Sequence, residues 1–156
     1  MHIDFTIVDE HEQKYPKSCI ASAIEIILKL IGEVDTNYYD VQDNWKNEDN
    51  RLSFADFHNR KIEGVRFERK FSIDRSKSFP FKELFETIDC ELAAGRYVVI
   101  SLVANNGWHM WVIYKKKDND FSAVSKSGKT TIHLPKLKDQ VQRMGGTDIL
   151  VYRYDN

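Results

Sequence analysis

The stretch from Ile20 to Ile31 is apolar at every position except Ser22, Glu25 and Lys29, and it is closed by Gly32. Ile20, Ile24, Ile27 and Ile31 recur at helical spacing, while the three polar residues share one narrow face. A helix that is apolar nearly all round belongs inside a protein, so the rest of the fold must be built around this one. Gly32 suits the left-handed residue that follows many helix ends. Pro16 and Ser18 mark the beginning, because the residue before a proline is driven away from helical geometry. Cys19 therefore falls in the first turn of a buried helix.

The chain after Gly32 turns polar up to Lys61. Asp35 or Thr36 is suited to cap a short helix through Tyr38, Tyr39 and Val41, and Leu52 to Phe57 suits another. Val65 to Phe71 alternates and is expected as an edge strand. Phe81 to Ala94 is an amphipathic helix with Leu84, Phe85, Ile88 and Leu92 inward, ended by Gly95. Tyr97 to Val103 is a continuous apolar run, as in a strand buried on both faces. A turn at Asn105-Asn106-Gly107 leads to a strand from Trp108 to Tyr114, a polar tip at Lys115–Asn119, and a return at Phe121–Ser125. A helix near Leu137–Met144 and a final strand Ile149–Tyr154 complete the chain. Helices first and an antiparallel meander after them predict an α+β domain, and residues 1–156 contain no repeat or linker that would divide it.

Several function classes are excluded by composition. With 42% hydrophobic and 30% charged residues, the chain is neither disordered nor low-complexity. No apolar run approaches the ~20 residues that span a bilayer. Met1-His2-Ile3-Asp4 does not open a secretory signal, so a cytoplasmic protein without membrane contact is expected. The 23 basic and 24 acidic side chains leave a net charge of −1, which gives nucleic acid no global field to follow. Lys115-Lys116-Lys117, with Lys126 and Lys129, is a charged hairpin tip without interleaved aromatics, and is expected to serve solubility. Residues 1–60 carry 6 basic and 12 acidic groups, and the remainder is basic on balance. That asymmetry predicts attraction between the two parts on packing, or else a cleft with one acidic and one basic wall.

Cys19 and Cys90 do not form a disulfide framework, and neither they nor the five scattered histidines have metal-ligand spacing. No metal or organic cofactor is expected. A thiol in the first turn of a helix meets the positive end of the helix dipole and unpaired N–H groups, both of which favour thiolate. Cys90, late in its helix, lacks that placement. His109 begins an otherwise apolar strand, where a titratable side chain needs a partner. Cysteine at a helix start and histidine from a distant strand form the nucleophile and base of many hydrolases. Gln13, six residues before Cys19, supplies a side-chain amide suited to hold the oxyanion together with the Cys19 backbone N–H.

In these features the chain resembles the papain-like cysteine peptidases, and it is most similar to a short bacterial branch related to domains that cleave double-glycine leader peptides. The resemblance rests on Gln13, on Cys19 opening the helix Ile20–Ile31, on Ala94-Gly95-Arg96-Tyr97-Val98-Val99-Ile100, and on His109 within Gly107 to Tyr114. It implies a buried helix carrying the cysteine packed on an antiparallel sheet carrying the histidine. It also implies a peptide or protein substrate, with Cys19 as nucleophile, His109 as base and Gln13 as oxyanion donor. Two departures stand out. Ile20 follows the cysteine where many members have Gly, and no Asp or Asn stands where the family orients its histidine. With strands paired about a tip near Lys117–Asp118, His109 is expected opposite Lys126, flanked by Ser125 and Ser127. Asp118 and Asp120 are then far out of reach at ~3.3 Å per residue. The orienting role is left to the hydroxyl of Ser125 or Ser127, a backbone carbonyl, or an acid from elsewhere. The readings left open are hydrolysis, acyl transfer or deamidation through the same thioester, and a papain-like module that binds peptide without catalysis.

Overall fold

The computed structural model describes residues 3–45, 53–104, 107–125 and 128–154. Three helices come first: α1 (Phe5–Glu10), α2 (Cys19–Leu30) and α3 (Asp40–Trp45), followed by a single 3-10 turn at Phe54–Phe57. Then come β1 (Arg60–Ile62), β2 (Val65–Lys70), α4 (Phe81–Ala93), β3 (Val98–Ala104), β4 (Gly107–Lys117), β5 (Asp120–Ser125), β6 (Gly128–His133), α5 (Leu134–Met144) and β7 (Ile149–Tyr154). The seven strands form one sheet in the order β1-β2-β7-β3-β4-β5-β6, with every neighbouring pair antiparallel. The domain is α+β. Among the described residues, no helix is long and apolar enough to cross a membrane.

Strand alternation explains how one sheet serves two cores. Val99, Val112, Leu150 and Tyr152 pack with α1, α2 and α3, whereas Val98, Ile100, Ile113 and Val151 pack with α4 and α5. The continuous apolar run of β3 is the consequence, since both its faces are covered as far as Leu102. Helix α2 is the centre of the first layer. Ile20, Ile24, Ile26, Ile27 and Leu28 are buried to 2% exposure or less, each contributing roughly 1.5–3 kcal/mol of transfer free energy. Gly32 takes the left-handed conformation past its end, at φ 79°.

Several expectations are corrected. Helix α3 starts at Asp40, so Tyr38 and Tyr39 precede it, and the second polar-region helix is only the turn Phe54–Phe57; Leu52 lies outside the described residues. β2 is interior, because β1 covers one side and the C-terminal β7 pairs along the other. β4 runs on through Lys117, so Lys115–Lys117 belong to a strand and the tip is Asp118–Asn119. β6 has no counterpart in the sequence reading; its residues alternate between half-buried and exposed, and few are apolar. A bulge between Ile113 and Lys115 shifts the β4–β5 register, so Val112 faces Val124. The expected facing of His109 on Lys126 assumed an earlier tip and no bulge. Lys126 and Ser127 themselves lie outside the described residues.

Candidate active site

Cys19 is the first residue of α2 and is half-buried, while Cys90 is exposed on α4. A cleft of about 440 Å³ opens over this helix start. Gln13 from the α1–α2 loop, Cys19 from α2, His109 from β4 and Ser125 from β5 all line it. Ser22, one turn along α2, and Trp108 and Met110, on either side of His109, complete the nearer walls. A smaller hollow of about 190 Å³ lies beyond Trp108 and Met110, which border both, and is floored by Ile20 and Phe54. Arg75 stacks over Trp108 at its mouth, 4.5 Å from the ring centre. Among the described lining residues of the larger cleft Lys17 is the only Lys or Arg and none is a carboxylate, so the alternative of one acidic and one basic wall is not met in that cleft.

Two details qualify how these groups face one another. In the β3–β4 pairing His109 stands opposite Leu102, a residue of the α4/α5 layer, while Met110 packs with the α2 layer. The pleat thus starts the His109 side chain on the sheet face away from α2, although the residue borders the cleft. Second, the Gln13 amide N–H groups are spent on the carbonyls of Tyr15 (3.0 Å) and Pro16 (3.3 Å). Its oxygen is buried without a hydrogen-bond partner, an arrangement that ordinarily costs about 1–3 kcal/mol. Turning the amide over would set that oxygen against two carbonyls, so the donor assignment is fixed by its surroundings.

Helix α2 begins without a side-chain cap. Ser18 is the residue type that ordinarily caps, yet its hydroxyl lies 2.8 Å from both the Tyr15 carbonyl and the Gln42 amide oxygen. The first-turn N–H groups of α2 therefore receive no hydroxyl from it, and they border the cleft at Cys19.

Below the cleft is a buried polar cluster that the sequence reading did not assemble. Glu25 is fully buried, and both its oxygens accept from Gln42: Oε2 from the backbone N–H at 2.9 Å and Oε1 from the side-chain amide at 2.6 Å. Burial pushes its carboxyl up to about 7, against the opposing pull of the Gln42 bonds and the Lys29 charge. Lys29 donates to His11 Nδ1 at 2.9 Å, which leaves the other ring nitrogen, 3.1 Å from Ser22 Oγ, carrying the hydrogen. Burial first, and the neighbouring Lys29 charge second, push His11 down to about 3. Ser22 and His11 therefore do not form a rival nucleophile–base pair, since a protonated His11 would face an ammonium. The signal that could have found the cluster is the Ser22–Glu25–Lys29 stripe: three polar residues on a wholly buried helix require buried polar partners.

A scan against protein-family models gives no match for this sequence, and a search of curated proteins gives none either.

Proposed function

We propose that the chain is a thiol-dependent amide hydrolase of papain-like fold, acting as a cysteine peptidase on a peptide or protein substrate. The observation that carries this reading is the convergence of Gln13, Cys19, His109 and Ser125, from four separate segments, on one cleft at the start of a buried helix. The Cys19 thiolate attacks the substrate carbonyl, His109 takes the thiol proton, and the same proton later goes to the leaving amine. Water then hydrolyses the thioester. The N–H of Cys19, at an uncapped helix start, holds the developing oxyanion. Gln13 joins it on exchanging one of its carbonyl bonds for the oxyanion. Ser125 supplies the hydroxyl that orients the imidazole. An amine in place of water gives acyl transfer, and a glutamine side chain in place of a peptide gives deamidation.

A second reading is favoured by the pleat at His109 and by the bonds of the Gln13 amide: a cleft that binds peptide without cutting it. Alkylation separates the two. Iodoacetamide is expected to modify half-buried Cys19 about tenfold or more faster than exposed Cys90 at neutral pH, against the order that exposure alone would give. Substituting His109→Ala should abolish that preference. Equal rates at the two cysteines would leave the binding module standing, and a preference untouched by His109→Ala would remove His109 as the base.

A further inference from the structure

Gln42, on α3, is fully buried and makes hydrogen bonds to three residues of the segment that precedes α2. Its amide oxygen accepts from the Lys14 backbone N–H at 2.8 Å and is 2.8 Å from the Ser18 hydroxyl. Its amide nitrogen donates to the Glu12 carbonyl at 2.9 Å and to Glu25 Oε1 at 2.6 Å. Glu12 and Lys14 are the chain neighbours of Gln13, and Ser18 immediately precedes Cys19. Glu25, which fixes Gln42 through both oxygens, lies on the same helix as Cys19. One side chain thus grips the chain on either side of Gln13 and just before Cys19, and is itself referred back to the Cys19 helix.

From this geometry we infer that Gln42 is a positioning residue for the cleft: it fixes the 12–18 segment against α2 and draws the Ser18 hydroxyl away from capping that helix. The inference rests on the reading of Cys19 as nucleophile. Its physical content is twofold. Three hydrogen-bonding directions of this buried primary amide are taken by Lys14, Glu12 and Glu25, and the fourth shares the single Ser18 hydroxyl proton with the Tyr15 carbonyl, so the amide's pose and that of the segment it grips are fixed together. With Ser18 held by Gln42 and Tyr15, the N–H groups at the start of α2 remain available for an oxyanion, where a serine at this position would otherwise take one of them. A residue displaced by about 1 Å at such a site can cost about a hundredfold in rate, so a clamp of this kind is felt in the chemistry as well as in stability.

The test is the pH profile of iodoacetamide alkylation at Cys19 in the intact chain, with Cys90 as internal reference and circular dichroism as the check on folding. Gln42→Met keeps the side chain's length and removes its bonds. It should erase the excess reactivity of Cys19 and bring its profile to that of Cys90, whose own rate is unchanged. Ser18→Ala removes one arm only and should lower the excess in part; it decides the matter where Gln42→Met does not fold. Gln42→Glu should recover reactivity relative to Gln42→Met on the acid side, where a proton shared with Glu25 replaces the lost N–H. Folded Gln42→Met and Ser18→Ala proteins with the wild-type profile would overturn the positioning role while leaving Cys19 as nucleophile. A wild-type Cys19 no more reactive than Cys90 would overturn both.

Discussion

The two faces of the sheet each bury a glutamate, and they treat it in opposite ways. On the α4 side Glu91 is 4% exposed and receives Arg96 at 3.0 Å and Arg153 at 2.5 Å. Burial works against its charge, but the two guanidiniums outweigh it and hold the carboxyl below its ordinary range. On the α2 side Glu25 is fully buried and meets neutral amide donors, with Lys29 nearby already engaged by His11, and its carboxyl is pushed up to about 7. Glu91 ties a helix end to β7 and remains ionised. Glu25 retains a proton it can exchange near neutrality, and it sits under the cleft. The comparison teaches that burial alone does not set the state of a carboxyl: the charge of the donors that meet it decides the direction of the shift.

The largest effect is expected from breaking the compensated pair. Glu91→Ala strands two guanidiniums, and because these are about a third exposed the cost should be about 2–3 kcal/mol, below the ~3–5 of a wholly buried pair. Urea denaturation measures it. Cys19 alkylation in the same variant should keep its wild-type profile, and a change there would blur the contrast between the two faces.

Glu25→Gln comes next. One Gln42 donor then faces an NH₂ group in place of an acceptor, for about 1–3 kcal/mol of stability. The pH dependence carries the sharper information. A carboxyl raised from 4.5 to about 7 on folding contributes stability that is fully present below 4.5 and lost as pH rises through 7. His11, lowered from 6.5 to about 3, contributes stability that is present above 6.5 and lost as pH falls through 3. Between 4.5 and 6.5 the two slopes oppose each other. Wild-type urea midpoints should therefore change little across that window from this pair. Glu25→Gln should uncover the His11 limb, rising with pH up to 6.5, and His11→Asn should uncover the Glu25 limb, falling with pH up to 7. A wild-type profile that Glu25→Gln leaves unaltered would show that the carboxyl does not titrate there. Glu91 acts with the opposite sign to Glu25: its stability is present above 4.5 and lost as pH falls through its lowered pKa.

How far the sequence reached follows from the range of the interactions concerned. Helices α2 and α4 and strands β3 and β7 were readable because an apolar run and its glycine or turn boundaries are local signals. The interior place of β2 was not, because it depends on β7, whose paired residues are 79 to 89 positions away. Gln13, Cys19, His109 and Ser125 could be nominated from residue type and order, and they do share a cleft. Neither the bonds of the Gln13 amide nor the pleat at His109 could be foreseen, since the first depends on loop conformation and the second on register. Gln42 and His11 were unreadable for another reason. In the chain they are ordinary polar residues of a short helix and a loop, and only the burial of α2's polar stripe gives them a task.

The smallest effect concerns the charge asymmetry along the chain. Attraction between an acidic first part and a basic remainder should be visible as ion pairs joining them. Lys129 with Asp9, at 3.9 Å and with both side chains about half exposed, is such a pair. A contact of that geometry contributes about 0.2–1 kcal/mol and is screened by salt. Lys129 also lies 4.2 Å from the ring centre of Phe5, an interaction that does not depend on Asp9 and is worth about 0.5–1 kcal/mol at an exposed site. Asp9→Asn should therefore lower the urea midpoint less than Lys129→Gln, and only the Asp9→Asn difference should vanish in high salt. Equal losses in the two variants, both removed by salt, would mean that the ion pair acts alone and that β6 is held to α1 by charge.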